Sequence, residues 1–341
     1  MKDPALQPES WRLTDLLDRA PGLHVLAGTL ADLVDEGHPI VVGTADLKYS
    51  NGLVRFQERH PERYVQFGIS EQHMVSVAAG LAATGFQPYV ATFASFLALL
   101  ACEHIRTDTA YTRLPVRLIG HHSGITLGFY GTSHHATEDL AITRSIAGLT
   151  VIAPADAAQL GAALRACTAV PGPVYLRIGR GQEPDVYTAA GLRFEVGKAI
   201  AHGAGDDLTI IATGSMVHPA LEAAARLSDS GVSVGVLDMH TVKPLDETAV
   251  LDAARRSGLL LTVEEHNVLG GLGGAVAETV AAAGLPAHVV RHGIKDEYAL
   301  IGPPTHLYRH YGLTADGIEA AARRALDARG APAEHALVQN G

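Results

Sequence analysis

Short β-prone runs alternate with helix-length apolar stretches along most of this chain, and that alternation restricts its fold more than any other feature. In the first half, strands are expected at residues 40–44, 88–92, 116–119, 151–154 and 174–178, with helices at 72–84, 96–107, 139–145 and 155–166. A continuous apolar run marks a strand covered on both faces, and strand–helix–strand order makes neighbouring strands parallel. A polar, glycine-containing connector follows at about 181–197. The alternation then resumes, with strands at 208–212, 232–237, 259–264 and 287–290 and helices near 220–228, 246–257 and 274–283. The expected fold class is α/β, two doubly wound domains, and 341 residues with 47% hydrophobic content suffice for a core in each. The expected boundaries are an N-terminal extension at 1–22, a first domain at 23–185, a linker at 186–200, a second domain at 201–330 and a frayed tail at 331–341.

Charge and composition exclude several roles. A formal net charge of −10 repels nucleic acid, and no run of Lys or Arg interleaved with aromatics offsets it. Cys102 and Cys167, the only cysteines, fall in apolar helical stretches and read as buried thiols of a reducing compartment. No basic-then-apolar leader and no run of about 18 apolar residues is found, so a cytoplasmic chain without a membrane span is expected.

The stretch from Arg63 to Ala82 delivers a carboxylate from a strand end into a helix start. Residues 64–67 are β-prone, Gly68 breaks the run, Ser70 is a candidate N-cap, and Met74, Val77, Ala78 and Leu81 recur at helical spacing. Glu71 therefore sits in the first turn, where a carboxylate can be merely a helix-dipole partner worth up to about 1 kcal/mol. Likewise Phe93 and Phe96 are at helical spacing and can be core, and Asp46 can be a turn residue after the strand at 40–44. Gly270, Gly271, Gly273 and Gly274 lack the strand and the acidic residue of a dinucleotide loop, and read as a structural helix start.

Taken together, these segments resemble the transketolase superfamily of thiamine diphosphate enzymes over residues 23–326. Gly68-Ile69-Ser70-Glu71-Gln72-His73 with Ala78-Ala79-Gly80-Leu81 is similar to the family's pyrimidine-domain signature, Ala45 to Asn51 resembles its ADL-x-x-SN segment, and Thr92-Phe93-Ala94-Ser95-Phe96 its TF-x-x-F. The resemblance implies that Glu71 hydrogen-bonds a ring nitrogen of the cofactor's aminopyrimidine and promotes its deprotonation. It implies that Phe96 stacks on that ring beside Phe93, that Asp46 lies near the cofactor, and that Ser50 contacts a sugar phosphate. His122 and His134 resemble the family's substrate-phosphate and carbonyl-side histidines, which makes them catalytic and substrate-binding candidates; His121 and His135 read as surface-loop residues. Arg177 and Arg180 are candidates for an anionic group, phosphate, carboxylate or sulfonate, although strand alternation puts them on opposite faces. A zinc site among the 18 histidines lacks acidic or Cys ligands at suitable spacing, so no metal ligand is assigned.

Departures from the family shape the rest. Between His122 and His134 the family's acidic G-(E/D)-D-G is Gly128-Phe129-Tyr130-Gly131 here, its Gln after the second His is His135, and its early Arg falls at His24. Losing an acceptor for a donor-sugar hydroxyl alters discrimination by a few kcal/mol, so a non-standard sugar or sugar phosphate is expected, with Tyr130 a substrate contact. No Gly-Asp-Gly diphosphate motif occurs. The expectation is the C-terminal subunit of a split transketolase, transferring a two-carbon ketol unit from a ketose to an aldehyde. Thiamine diphosphate and Mg2+ would be completed by an N-terminal subunit carrying the diphosphate-binding domain, in a heterotetramer built on a dimer of this chain. The alternatives are a subunit of a decarboxylating relative, similar to 1-deoxyxylulose-5-phosphate synthase or a 2-oxo-acid dehydrogenase beta chain, and a non-catalytic regulatory relative.

Overall fold

The computed structural model describes residues 20–330. The first half contains α1 (Pro21–Asp35), β1 (Ile40–Thr44), α2 (Val54–Arg59), β2 (Tyr64–Gln66), α3 (Glu71–Ala83), β3 (Gln87–Phe93), β4 (Arg117–His121), α4 (Asp139–Ser145), β5 (Thr150–Ile152), α5 (Ala157–Cys167) and β6 (Val174–Arg177). The second half contains β7 (Ile200–His202), β8 (Leu208–Ala212), α6 (Val217–Asp229), β9 (Val234–Asp238), β10 (Thr241–Lys243), α7 (Glu247–Ser257), β11 (Leu259–Asn267), α8 (Leu272–Ala282), β12 (His288–Ile294), α9 (Pro304–His310) and α10 (Ala315–Gly330).

Among the described residues the strands form two sheets, ordered β10-β5-β6-β4-β3-β1-β2 and β12-β11-β8-β9-β7. Every pairing is parallel except β10 with β5 and β7 with β9, both at sheet edges. Strand alternation sorts the first core into two layers. Tyr89, Ala91, Ile119 and Leu176 pack with α1 and α5 on one face, while Val90, Leu118, Val151 and Tyr175 meet α3 on the other. In the second sheet Ile210, Leu261 and Val263 pack under α6 and α10, and Ile211, Leu237 and Leu260 under α7 and α8. Each fully buried Leu, Ile or Val here contributes on the order of 2 kcal/mol by leaving water.

The strands expected at 40–44 and 208–212 and the helix at 139–145 coincide with β1, β8 and α4. Three differences bear on the site. Residues 96–107, expected as one helix, form a single α turn (Cys102–His104) between π turns at Phe96–Leu100 and Ile105–Ala110. Thr107, Thr109 and Thr112 each return a hydroxyl to the carbonyl four residues back, at 2.8, 2.6 and 2.5 Å, and such back-bonding competes with a regular ladder. Cys102, on that segment, is only partly buried, whereas Cys167 is fully so. Second, α1 starts within the span read as an extension, and β7 within the span read as linker. The rest of that extension, 1–19, and the tail, 331–341, lie outside the described residues.

Third, the halves are joined. β10 extends the first sheet although it follows β9 of the second. Asp156 caps α5 through Gln159 N at 2.8 Å and takes Val186 and Tyr187 N–H groups on its other oxygen, both at 2.7 Å. Asp238 accepts Gln159 Nε2 at 2.6 Å and the Tyr187 hydroxyl at 2.7 Å. As expected, the glycines at 270–274 serve a helix start: the first N–H groups of α8, Leu272 and Gly273, donate to buried Glu264 at 2.7 and 2.8 Å.

Candidate active site

In a parallel sheet, groups converge beyond the carboxyl ends of the strands, and a crevice opens where strand order reverses. Here β1 is flanked by β2 and β3, and the carboxyl edge collects Asp46 after β1, Phe93 ending β3, His121 and His122 at β4, and Arg180 after β6. Glu71 arrives at the same edge because the link from β2 runs directly into α3. Ser70 occupies the N-cap position, but its side chain makes no capping bond.

Glu71 is buried, 7% exposed, and its Oε1 accepts the Thr92 hydroxyl at 3.2 Å. Among the described residues its Oε2 has no partner, and that oxygen is not sealed from solvent. The helix behind it is anchored to the π-helical segment: Gln72 Nε2 donates to Leu100 O at 3.1 Å, and the Ser76 hydroxyl to Asp108 at 2.6 Å. Phe93 and Phe96 are 5.5 Å apart between ring centroids, and Phe93 lies 4.9 Å from His122 and 5.7 Å from His134. His134 also meets Phe96 at 5.1 Å and Tyr130 at 4.8 Å, while the Ser133 hydroxyl and His134 Nδ1 are 2.9 Å apart. The result is an aromatic wall carrying two imidazoles, linked to the Glu71 carboxylate through the neighbouring Thr92 and Phe93 of β3.

Electrostatics separates the cations. Arg177 is buried, its Nε bonds both oxygens of Asp139 at 3.1 and 2.9 Å, and its Nη2 donates to Ala136 O and Glu265 O at 3.2 and 2.8 Å. That narrows the expectation that Arg177 can take an anionic substrate, because Nε and Nη2 are held by Asp139 and two carbonyls and only Nη1 is left without a partner among the described residues. Arg180 is exposed, and its charge bears on both His121 and His122. Burial pushes the His122 imidazole well below its ordinary value, with His121, Arg180 and His134 adding to the fall; burial also lowers His134. Neutral rings at neutral pH follow.

The loop bearing His122 is tied to the second half. Glu265, fully enclosed, accepts Ile125 N at 2.7 Å, the Ser215 hydroxyl at 2.8 Å and the Tyr308 hydroxyl at 2.7 Å. Gly124, at φ +61°, lies where a Cβ would come within 2.2 Å of that carboxylate, so only glycine fits. A cavity of about 530 Å³ lies beyond, lined by Arg180, Glu183, Ser215, His218, Tyr308 and Arg309. None of Glu71, Phe96, His122 or His134 lines it, and the chemistry converges elsewhere.

Of the residues expected at the site, the structure brings together Phe93, Phe96, His122, His134 and Tyr130. Asp46, at φ +60° and exposed, donates its backbone N–H to Gln66 at 2.8 Å, and neither it nor Ser50 hydrogen-bonds that group through its side chain. His121 and His135, expected in surface loops, are buried, at 0% and 3% exposure. Thr92 and His121 carry no motif that marks them in the sequence; the one signal for each is a polar side chain at the carboxyl end of an apolar strand. Among the described residues no group of three or more His, Cys, Asp or Glu is placed to hold a metal ion, and no helix is long and apolar enough to cross a membrane.

A largely parallel sheet with these groups at its carboxyl edge places the candidate site where α/β proteins bind their ligands. Residues 23–184 match the transketolase pyrimidine-binding domain and residues 197–318 the transketolase C-terminal domain, and the chain belongs to the transketolase family. It is 37% identical over 290 residues to one of the subunits of the apulose-4-phosphate transketolase of Phocaeicola vulgatus, covering 85% of this chain and 92% of that one. To the 6-deoxy-6-sulfo-D-fructose transketolase subunit SqwH of a Clostridium species it is 39% identical over 309 residues, covering 89% and 95%. A solved structure described as a split gene transketolase, inactive beta4 tetramer, superposes with a TM-score of 0.82 at 40% identity, over 90% of this chain and 98% of that one. Further relatives of similar identity are 1-deoxy-D-xylulose-5-phosphate synthases, of which the chain spans about half, 48% in the Geobacter sulfurreducens protein.

Proposed function

We propose that this chain is the pyrimidine-side subunit of a split transketolase, transferring a two-carbon ketol unit from an anionic, non-standard ketose to an aldehyde. The observation that carries the reading is Glu71: a buried carboxylate with one oxygen held by Thr92 and the other open, Thr92 being the neighbour in β3 of Phe93, whose ring lies 5.5 Å from that of Phe96. An aminopyrimidine needs such a pair, an acceptor for its ring-nitrogen proton and an aromatic face. When bound, thiamine diphosphate supplies the electron sink for cleaving the bond next to a ketose carbonyl.

The chain's own residues do the rest. Glu71 exchanges a proton at the pyrimidine nitrogen through Oε2, while Thr92 fixes the carboxylate plane through Oε1. Phe93 and Phe96 exclude water. His134 and His122, neutral at neutral pH, donate to or accept from the hydroxyl and carbonyl oxygens of the substrate, and Arg180 draws its anionic end. Asp46 and Ser50 complete the cofactor and sugar contacts from the turn after β1. Diphosphate and Mg2+ fall to an N-terminal subunit, in a heterotetramer of two chains of each kind, with domains here at 23–185 and 201–330 joined by a linker at 186–200. The names of the split relatives support a partner of this type, and the aromatic Phe129-Tyr130 pair supports an unusual donor.

The test is a donor and acceptor screen on the co-expressed pair with thiamine diphosphate and magnesium. Ketol transfer with retention of all carbons supports the reading. Release of carbon dioxide from a 2-oxo acid instead supports the decarboxylating class represented by the longer relatives.

A further inference from the structure

Beside the site lies a third imidazole, one that the proposed chemistry does not use. His121 is the last residue of β4, fully buried, paired in register with Phe93, and its ring centroid is 4.4 Å from that of His122. The two rings meet through their Nδ1 atoms. His122 itself adopts φ +55°, a left-handed conformation uncommon for a residue with a side chain, and its N–H donates to Gly179 O at 3.1 Å. That turn swings His122 out of the strand's alternation, so consecutive histidines face each other rather than opposite sides of the sheet.

Burial lowers both imidazoles, His121 to about 3, with Arg180 adding to each, so both are neutral at neutral pH. Two neutral rings in contact at Nδ1 share one proton there: one ring donates and the other accepts. The two arrangements differ in what they leave elsewhere. His121 Nε2 is buried without a partner, whereas His122 Nε2 is unpartnered but not sealed from solvent. If His122 donated, His121 would carry its proton on Nε2 and bury an orphaned N–H. If His121 donates, the orphan is only a lone pair. Buried N–H groups without partners are the rarer case.

We infer that His121 is a positioning residue: its Nδ1–H donates to His122 Nδ1 and holds His122 as the Nε2–H tautomer, a hydrogen-bond donor to the oxygens of an anionic ketose. In the opposite tautomer His122 would present a lone pair to those oxygens and repel them. The substrate half of this statement rests on the proposed function; the tautomer half rests on this chain alone.

Long-range proton–nitrogen NMR on the purified chain labelled with 15N-histidine reads the tautomer directly. The expected result is His122 as Nε2–H in the wild type and in His121→Asn, whose side-chain N–H replaces the Nδ1 donor, but a mixture of tautomers in His121→Leu. In the complete enzyme His121→Leu should raise KM for an anionic ketose about tenfold with kcat nearly unchanged, and His121→Asn should restore it. His121→Met is the second donor-free variant where thermal melting shows that Leu prevents folding. His122 found as Nδ1–H in the wild type, or unchanged in a folded donor-free variant, overturns the inference. A tautomer shift without any change in KM leaves the positioning standing and removes His122 from substrate binding.

Discussion

Glu71 and Arg180 act through different properties and separate in experiment. Replacing Glu71 by Gln keeps an oxygen for the Thr92 hydroxyl, which reaches it at 3.2 Å, and keeps the side-chain volume, so folding should be untouched. What disappears is the carboxylate proposed to exchange the proton. The expected loss in kcat for the complete enzyme is about 10²–10⁴-fold, with melting temperature unchanged, and turnover equal to wild type would remove Glu71 from the chemistry. Arg180→Met should instead raise KM for a phosphorylated or sulfonated donor by about 10-fold or more while leaving a neutral analogue unaffected. The contrast is Arg177→Met. There the carboxylate of Asp139, 1% exposed, loses its ion pair, and a destabilisation of about 3–5 kcal/mol in urea unfolding is expected before any effect on KM.

At the scale of elements, the link between α5, the connector and β9 has a pH signature. Asp238 on β9 is buried and raised from its ordinary value to about 6, first by burial, against the hydrogen bonds from Tyr187 and Gln159. A carboxyl raised on folding adds stability that is fully present below its unfolded pKa and is lost as pH rises through about 6. The displacement is worth about 3 kcal/mol between about pH 4 and about pH 7. Asp238→Asn should flatten that part of the profile in urea unfolding, and a slope identical to wild type would show that Asp238 does not carry it. None of this link is legible in the sequence, for a physical reason. Periodicity reports which face an element buries, and so β1, β8 and α4 stand where the sequence places them. β10 is too short to show a period, and its pairing with β5, in the register Thr241 with Ile152, joins segments far apart along the chain. The break in residues 96–110 is hidden because threonine back-bonding leaves an apolar pattern intact. For the candidate site, motif order points to Glu71, Phe93, Phe96, His122 and His134, but the surroundings of Arg177 and His121 depend on Asp139 and on a left-handed His122, neither visible from spacing.

For the whole molecule, exposure marks the surface that the proposed partner would cover. Ile69, next to Glu71, is 85% exposed, Leu99 and Leu100 after Phe96 are 52% and 54%, and Phe129 and Tyr130 beside His134 are 68% and 64%. Large exposed apolar side chains flanking the candidate site residues along the chain suit a surface that a partner covers. With the proposed partner in place the same side chains would exclude water from the cofactor, and without it the carboxylate and rings offer only the pyrimidine half of a binding site. The most direct measurement is calorimetric titration of thiamine diphosphate with magnesium into this chain alone and into this chain mixed with the subunit carrying the diphosphate-binding domain. Under the split-subunit proposal, no binding tighter than about 1 mM is expected for the chain alone, and about micromolar binding with ketol transfer for the mixture. Micromolar binding by the isolated chain would contradict it.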